Sequence, residues 1–170
     1  MRLRAAPAQP RSAREPRSLT VVGLGYDSHR FGPGRRLVLG GVEIPHDQGL
    51  EGHSDADVLT HAIIDALLGA NGGGDIGTMF PDDDPDYKDA DSIDLLHTVV
   101  GTIAGPIVNI DATLICEQPR LGPYKAEMER TLADATSARV SVKATSNEGM
   151  GWIGRGEGIA CIAVASVESE

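Results

Sequence analysis

The stretch GYDSHRF, residues 25–31, places Asp27 and His29 two positions apart, between an apolar run and a turn. Side chains at positions i and i+2 of a β-strand point to the same face, so a strand here presents a carboxylate and an imidazole together. The pair is either half of a metal site or a polar strand end in which Asp27 caps a turn. Further candidate ligands elsewhere in the chain would favour the metal site over the strand end.

A third candidate ligand lies on a predicted helix. Asp57, His61 and Asp65 follow one another at intervals of four in HSDADVLTHAIID, so they share one helix face. A helix packed against the first strand brings His61 within reach of Asp27 and His29. Two imidazoles and one carboxylate suit a zinc-like divalent ion and leave one coordination position open, as catalytic sites do. The crowding of acidic and imidazole side chains at this helix start favours the metal interpretation.

Two further segments carry turn-forming residues. DIGTMFPDDDPD, residues 75–86, is acidic but lacks the ligand spacing of an EF-hand loop. On composition alone it is either a Ca²⁺ site or a solvated acidic loop. NGGG, residues 71–74, is not followed by the Gly-Lys-Ser/Thr of a phosphate-binding loop, so it predicts a helix end.

A last polar cluster follows a predicted strand near the C-terminus. The sequence TSNE, residues 145–148, offers hydroxyl and backbone N–H groups to an oxyanion. Glu148 is a candidate ligand for a second cation, and Arg155 is a candidate partner for a phosphate or carboxylate. The alternative is a Gly-rich hairpin in which Arg155 pairs with Glu157. Since cationic side chains are few, metal ions are the expected carriers of a substrate's negative charge.

Apolar periodicity predicts the elements that position these groups. Strands are predicted from Leu19, at 36–45 (as a bent strand or a hairpin), 106–117, 139–145 and 159–168. Helices are predicted from Asp55 to the NGGG sequence, with Ser54 or Asp55 as N-cap, and at 92–104 and 122–136, with a long loop over 75–91. Helices alternate with strands without a dinucleotide fingerprint. The pattern predicts an α/β fold (an α+β sandwich) with helices packed on one face of one mixed sheet.

Composition and charge restrict the function further. The 170 residues are 41% hydrophobic but only 4% aromatic, so aliphatic side chains must fill the core of a single domain, predicted at 19–170. Residues 1–18 carry five Arg and one Glu, a net charge of +4, and are predicted to be a disordered tail. The rest has 10 basic and 24 acidic residues, a net charge of −14, which argues against nucleic-acid binding. Short apolar runs, the lack of an apolar leader and only two cysteines predict a cytoplasmic protein without a membrane span.

Six motifs in chain order resemble one family: GYDSHRF, LGGVEIP, GHSDADVLTHAIIDALLGA, GDIGTMFPDDDP, DATLICEQPRLGPY and VKATSNEGMGWIGRGEGIA. The family is the 2-C-methyl-D-erythritol 2,4-cyclodiphosphate synthases of the non-mevalonate isoprenoid pathway, and the resemblance runs from about Leu19 to the C-terminus. It implies a homotrimer whose sheets meet around a threefold axis, with active sites between adjacent subunits. The central channel is then a candidate site for an isoprenoid phosphate.

The resemblance also implies a substrate, 4-diphosphocytidyl-2-C-methyl-D-erythritol 2-phosphate. Its 2-phosphate oxygen attacks the β-phosphorus, CMP leaves and an eight-membered cyclodiphosphate ring closes. Asp27, His29 and His61 are then ligands of a Zn²⁺ ion, and Glu148 holds a Mg²⁺ or Mn²⁺ ion that bridges the diphosphate.

The other implied roles follow the same motifs. The implied catalytic residues are His53 and Ser146, which stabilise the transition state. The implied substrate-binding residues are His53 and Ser54 at the phosphates; Asp75, Ile76, Gly77, Phe80, Pro81, Asp82, Asp83 and Asp84 around the methylerythritol hydroxyls; Cys116, Glu117, Gln118, Pro119, Arg120, Leu121, Gly122 and Thr145 at cytidine; and Asp27, Ser28, His29, Ser146, Asn147, Glu148, Trp152 and Arg155.

The chain departs from the family's usual residues at three places. Many members have Thr-Thr before the Glu, whereas this chain has Thr-Ser-Asn, in which Ser146 keeps the hydroxyl but is less restricted at χ1. Trp152 stands where a Phe is common, which affects the width of the pocket. Arg120 stands where a Lys is common.

Two other functions fit the same residues. One is a metal-dependent phosphoesterase, in which water attacks the activated phosphate. The other is a non-catalytic trimer that binds a nucleotide diphosphate or an isoprenoid phosphate. His53 and Ser146 favour catalysis, because a binding protein has no need of transition-state contacts.

Overall fold

A computed structural model describes residues 19–169 as a mixed sheet with helices on one face. The strands are β1 (Leu19–Gly32), β2 (Leu37–Leu39), β3 (Val42–Ile44), β4 (Gly49–Leu50), β5 (Ile107–Ile115), β6 (Arg139–Thr145) and β7 (Gly158–Ser169). Five of them form a sheet in the order β4-β1-β7-β5-β6, in which only the β5–β6 pair is parallel. Strands β2 and β3 form a separate hairpin. The predicted fold class is confirmed.

Helices cover one face of this sheet. The three longest helices do so: α1 (Val58–Asn71), α3 (Ser92–Val100) and α4 (Lys125–Thr136). Two single-turn helices, α2 (Ile76–Met79) and α5 (Gly151–Gly154), and a 3-10 helix at Pro85–Tyr87 lie in the connecting segments. Helix α1 lies across β1 and β7, α3 packs on α1 and α4, and α4 packs on β6. Eleven of the 14 residues of α1 are buried, so this helix forms the centre of the core.

Two glycines allow α1 to approach β1 closely. Gly23 and Gly25 lie on the helix-facing side of the strand, and a Cβ on either would stand 1.9 Å from a carbonyl oxygen, of Ala66 and Ala62 respectively. The backbone of the helix therefore rests directly on the strand. The next two positions in the same alternation are the Asp and His of the DSH sequence, so the close approach brings the first turn of α1 over both.

The start of α1 differs from the prediction. The helix begins at Val58 with Asp57 as its N-cap, rather than at Ser54 or Asp55. The Asp57 carboxylate accepts N–H groups from the helix start and also from the turn between β2 and β3. Burial raises the pKa of this carboxyl, and the hydrogen bonds from those N–H groups partly offset the increase. Asp57 thus ties the hairpin to the helix, and it does not join His61 in a metal site.

Other boundaries are shorter or more regular than predicted. The segment 36–45 is a hairpin, one of the two predicted alternatives. Helix α3 ends at Val100, four residues early, and α4 begins at Lys125, three residues late. The predicted loop over 75–91 contains α2 and the 3-10 helix, because Asp side chains cap both of them.

The other face of the sheet is not covered by α1, α3 or α4 and is apolar around β1 and β7. Leu24 and Tyr26 are 66% and 52% exposed, and Ile162 is 41% exposed. Tyr26 and Ile162 are cross-strand neighbours, so these side chains form a continuous patch. Exposed patches of this kind mark interaction surfaces.

Two predictions concern features beyond this sheet. None of the helices in residues 19–169 has the length and apolar content needed for a membrane span. The predicted tail at 1–18 lies outside the described residues.

Candidate metal centre and substrate site

The three predicted metal ligands converge where β1 meets the first turn of α1. Asp27 Oδ2 lies 2.9 Å from His29 Nε2 and 3.0 Å from His61 Nδ1, and the two imidazole nitrogens are 3.2 Å apart. We call these three residues the metal cluster. Within residues 19–169 it is the only group of three potential metal-binding side chains with ligand atoms within 4.8 Å of one another. The acidic segment 75–86 therefore does not form a second one.

The outer nitrogens of both imidazoles are engaged, which directs the inner ones to the cluster. His29 Nδ1 lies 2.7 Å from the Glu51 carbonyl oxygen, which can only accept, so His29 carries its proton there and keeps a lone pair on Nε2. His61 Nε2 lies 3.0 Å from Ser54 Oγ and 2.9 Å from Ser92 Oγ, and its Nδ1 faces the cluster. Two ring nitrogens and a carboxylate oxygen directed at one point fit a divalent ion, with outer partners fixing the rings.

The charges within the cluster are coupled. Burial alone would raise the pKa of Asp27, but the adjacent imidazoles of His29 and His61 hold it well below its ordinary value of 3.8. Burial alone would lower the pKa of His29, but the hydrogen bond to Asp27 raises it above 6.5. The surroundings of Asp27 therefore favour a positive charge beside its carboxylate. A bound divalent cation would supply that charge.

The metal cluster lines a cavity of about 350 Å³. Three residues that the sequence did not single out also line it, and Tyr87 among them packs edge-on against Phe80 with ring centroids 5.2 Å apart. The predicted residues brought together here are Asp27, His29, His53, Ser54, His61, Ile76, Gly77, Phe80 and Asp82, and the unpredicted ones are Gly52, Tyr87 and Leu95. This volume is at the low end for ligand sites, so the cavity encloses only part of a large ligand.

Hydrogen bonds hold the loops that form the walls of the cavity. Asp65 on α1 accepts the N–H of Ile76 at 2.8 Å, and Asp75 caps the same short helix. His53 Nε2 donates to the carbonyl oxygen of Asp84 at 3.0 Å, which joins the loop before α1 to the acidic segment. Asp65, predicted to share a face with His61, thus positions a wall of the cavity rather than the metal.

The predicted cytidine segment and the TSNE sequence also meet. The Glu117 carboxylate accepts the N–H groups of Asn147 at 3.0 Å and Gly149 at 3.1 Å, and Ser146 donates its hydroxyl to Glu148 at 2.6 Å. We call residues 146–149 the Glu148 loop. Glu148 is exposed, and its φ of 51° lies in the left-handed region. The sequence did not assign to Glu117 this role of holding the loop.

The rest of the predicted cytidine segment is a turn that begins at the end of β5. Cys116 donates its N–H to the carbonyl of Thr145 at 3.0 Å, which ties the turn to the end of β6. Its thiol contacts the carbonyl oxygen of Pro119, and burial raises the pKa of that thiol to about 11. Leu121 is buried, and the exposed members of the turn are Gln118, Arg120 and Gly122.

Trp152 and Arg155 lie outside the metal-cluster cavity. Arg155 Nε donates to the Glu157 carboxylate at 2.6 Å, the pairing of the hairpin alternative. Trp152, on α5, lines a neighbouring groove together with Ser28, His29 and Arg30 of β1. Within one chain these residues therefore do not complete the cavity.

The metal cluster and the Glu148 loop are separated across the sheet. Asp27 pairs with Cys161, Cys161 with Leu114, and Leu114 with Ala144, which precedes the TSNE sequence. Three strand spacings amount to about 14 Å. The cavity at the metal cluster is lined by residues from the first part of the chain, 27–95. Within one chain the two groups thus lie at the same end of the sheet but in different surroundings.

Comparison with known proteins relates the chain to one family. The profile of the YgbB family matches residues 20–168. The chain is 55% identical over 153 residues to the 2-C-methyl-D-erythritol 2,4-cyclodiphosphate synthase of Symbiobacterium thermophilum, a match that covers 86% of this chain and 98% of that protein.

Solved structures show the same fold. The bifunctional IspDF from Campylobacter jejuni superposes with a TM-score of 0.87 at 38% identity over 91% of this chain, which spans 44% of that longer protein. The IspF of Plasmodium falciparum, solved as a CDP complex, gives a TM-score of 0.76 at 28% identity, covering 89% of this chain and 97% of that one.

Proposed function

The chain belongs to the YgbB family, and from this premise we propose that it converts 4-diphosphocytidyl-2-C-methyl-D-erythritol 2-phosphate to 2-C-methyl-D-erythritol 2,4-cyclodiphosphate and CMP. The reaction is an intramolecular phosphoryl transfer of the non-mevalonate isoprenoid pathway. A 2-phosphate oxygen bonds to the β-phosphorus while the bond from that phosphorus to CMP breaks. The observation that carries the proposal is the convergence of Asp27, His29 and His61 on one point of a cavity.

The metal cluster would hold a Zn²⁺ ion. Its donor set of two ring nitrogens and one carboxylate oxygen leaves a coordination position for a substrate oxygen. When bound, the ion supplies Lewis-acid neutralisation of the charge on a phosphate oxygen. Asp27 compensates the charge of the ion, and the carbonyl of Glu51 keeps the ring of His29 oriented toward it.

The cavity aligns the attacking phosphate rather than deprotonating it. A phosphate monoester has a second pKa of about 6, so its oxygen is already ionised near neutral pH and needs no general base. The catalytic task is to bring two anionic groups into line and to stabilise their charge. His53 and Ser54, which line the cavity beside the cluster, are the donors that we assign to the phosphate oxygens.

We assign the remaining substrate contacts to three groups of residues: the cavity wall, the Glu148 loop and the turn at 116–122. The α2 start and the acidic segment, which form the cavity wall, would bind the methylerythritol hydroxyls through the residues predicted between Asp75 and Asp84. The Glu148 loop would bind the diphosphate, with Glu148 holding Mg²⁺ or Mn²⁺ and Ser146 donating to the transition state. The turn at 116–122, with Thr145, would bind cytidine, and Trp152 and Arg155 would complete that side.

These groups come within reach of one substrate if the site forms between two subunits. The separation of about 14 Å within one chain and the apolar patch on the open sheet face support this arrangement. We therefore propose the homotrimer that the resemblance implies, with the open faces around the axis. An isoprenoid phosphate in the resulting channel remains part of the same proposal.

The domain organisation and location belong to the proposal as well. We propose that residues 19–170 form one catalytic domain that acts in the cytoplasm. Both cysteines are free and buried, as a reducing compartment favours.

Phosphorus NMR of the protein with substrate, Zn²⁺ and Mg²⁺ tests the proposed function. We expect the signals of a cyclodiphosphate and of CMP to appear together, and to stop appearing after a chelator is added. A linear phosphorylated product would instead identify a phosphoesterase, in which water replaces the internal nucleophile. Absence of CMP release at saturating substrate would identify a binding protein.

A further inference from the structure

A hydrogen-bond chain leads from His61 away from the metal cluster. His61 Nε2 lies 2.9 Å from Ser92 Oγ, and the hydroxyl of Ser92 donates to the Asp55 carboxylate, which also accepts the Ser92 N–H at 3.1 Å. Ser92 is the first residue of α3 and is 0% exposed. The chain therefore connects a candidate metal ligand to the loop before α1 and to the start of α3.

The direction of these hydrogen bonds follows from counting protons. An ionised carboxylate can only accept, so Ser92 gives its single hydroxyl proton to Asp55. The Ser92 oxygen then offers only lone pairs to His61, and His61 Nε2 must be the donor. A neutral imidazole with its proton on Nε2 has its lone pair on Nδ1, the nitrogen that faces Asp27.

We propose that Ser92 and Asp55 are positioning residues that hold His61 in the Nε2–H tautomer, with the Nδ1 lone pair directed at the metal. The inference rests on the proposed metal site and adds two residues to its support. His29 is oriented by a neutral backbone carbonyl, whereas the chain from His61 ends in a carboxylate, which is the stronger acceptor. The orientation of His61 is therefore the more firmly held of the two.

Ser54 contacts the same nitrogen but has a different role. Its hydroxyl oxygen lies 3.0 Å from His61 Nε2 and accepts the N–H of Ala56 at 3.2 Å. Because this hydroxyl can rotate to donate or to accept, Ser54 is compatible with either tautomer of His61, whereas Ser92 is compatible with only one. With His61 protonated on Nε2, the Ser54 proton stays available for a ligand in the cavity.

Zn²⁺ affinity of the full-length protein, measured by competition with a chromogenic chelator, provides the first test. Ser92→Ala removes the one acceptor that fixes the tautomer of His61 and leaves Ser54, which fits either tautomer, so we expect Zn²⁺ binding to weaken by about 10- to 100-fold. Asp55→Asn should weaken it in the same direction but less, since a neutral amide oxygen still accepts. Asp91→Ala is the matched control, because Asp91 caps the same helix through the N–H of Ile93 at 2.8 Å. It should leave the Zn²⁺ affinity unchanged.

A spectroscopic test separates positioning from loosened structure. In Zn²⁺-loaded protein with ¹⁵N-labelled histidine, we expect a downfield, slowly exchanging Nε2–H proton for His61. Ser92→Ala should shift this Nε2–H signal upfield, and Asp55→Asn should shift it less in the same direction. Asp91→Ala should leave the signal where it is in the wild type. If Ser92→Ala fails to fold, Asp55→Asn carries both measurements.

The outcomes also distinguish the inference from its premise. Unchanged Zn²⁺ affinity and an unchanged Nε2–H signal in folded Ser92→Ala would overturn the inference and leave the metal site intact. A wild-type protein whose Zn²⁺-loaded form has no Nε2–H signal from His61 would overturn it as well. A wild-type protein that binds no Zn²⁺ would contradict the proposed metal site, and the inference would fall with it.

Discussion

The metal cluster and the Glu148 loop lie at the same end of one sheet, but the chain builds them differently. In the metal cluster the side chains of Asp27, His29 and His61 are only 25%, 18% and 11% exposed, and both imidazoles have partners on their outer nitrogens. In the Glu148 loop the Glu148 carboxylate is exposed and accepts a hydrogen bond from Ser146, two residues before it. One group is set in the core, and the other projects from a strand end.

The difference indicates which part of the site a single chain can complete. Side chains held by the core keep their geometry before a ligand arrives, so little ordering is left for binding to supply. The exposed Glu148 side chain can gain further contacts only from what binds it, which in the proposed assembly is the substrate or a neighbouring subunit. We therefore expect a change in the metal cluster to abolish metal binding by the chain itself, and a change in the Glu148 loop to affect only the assembled site.

The largest effect is expected at the centre of the metal cluster. His61→Ala removes one of three ligands, and turnover should fall by about 10³-fold or more, because metal charge stabilisation is worth several kcal/mol. Zinc content, measured by elemental analysis, should fall with it while the assembly state persists. His97→Ala, an exposed histidine of α3, is the control and should change neither quantity. Full zinc occupancy in His61→Ala would refute the ligand assignment.

The next effect concerns the close packing beneath the metal cluster. In Gly25→Ala the new methyl meets the Ala62 carbonyl at 1.9 Å, so we expect a loss of about 3 kcal/mol in the free energy of unfolding. Zn²⁺ affinity should fall too, because α1 must move away from β1. Gly69→Ala on α1 is the matched control, since its nearest neighbour lies at 3.8 Å and Ala favours a helix by up to about 1 kcal/mol. Denaturant unfolding of the metal-free proteins measures the difference, and equal stabilities would show that the strand accommodates a side chain.

The metal cluster was predictable because the local periodicities of one strand and one helix orient its side chains. The alternation of β1 places Asp27 and His29 on one face, and the apolar helix pattern fixes which face of α1 carries His61. The helix start was not predictable in the same way, since Ser54, Asp55 and the true cap are all good N-cap residues. Contacts with the β2–β3 turn, far along the chain, select the third of them.

The supporting residues were less accessible to sequence analysis. Ser92 lies 31 residues after His61 in an ordinary helix start, and only the packing of α3 against α1 brings it to the imidazole. Glu117 similarly reaches the N–H groups of a loop 30 residues later. The resemblance assigned Glu117 to a binding segment but carried no contact geometry, so its role in holding the loop was not foreseen.

A smaller and different effect is expected in the Glu148 loop. Glu148→Gln removes the charge that would hold the second ion, so turnover at limiting Mg²⁺ should fall by about 10- to 100-fold. Zinc content should stay at the wild-type level, which separates this loop from the metal cluster. Glu127→Gln, at an exposed position of α4, controls for the loss of one charge. Loss of zinc in Glu148→Gln would show that the two groups are not independent.

The smallest expected effect is the pH dependence of the metal-free protein. His29 has a raised pKa in the folded state, so its stabilising pair with Asp27 is complete below its ordinary pKa of 6.5 and is lost as the pH rises through the folded value. Asp27 has a lowered pKa, so its contribution is complete above 3.8 and is lost only as the pH falls through the folded value.

Unfolding of the metal-free protein in denaturant should therefore show greater stability at pH 6 than at pH 8.5. In Asp27→Asn, His29 has no carboxylate beside it, so this decline should shrink. Saturating Zn²⁺ should reverse the trend for the wild type, since metal binding requires deprotonated imidazoles and strengthens as the pH rises. If the wild type and Asp27→Asn lose the same stability between pH 6 and pH 8.5, the Asp27–His29 pair does not cause the loss. Solvent would then screen this pair despite its burial, as it screens the exposed carboxylate of the Glu148 loop.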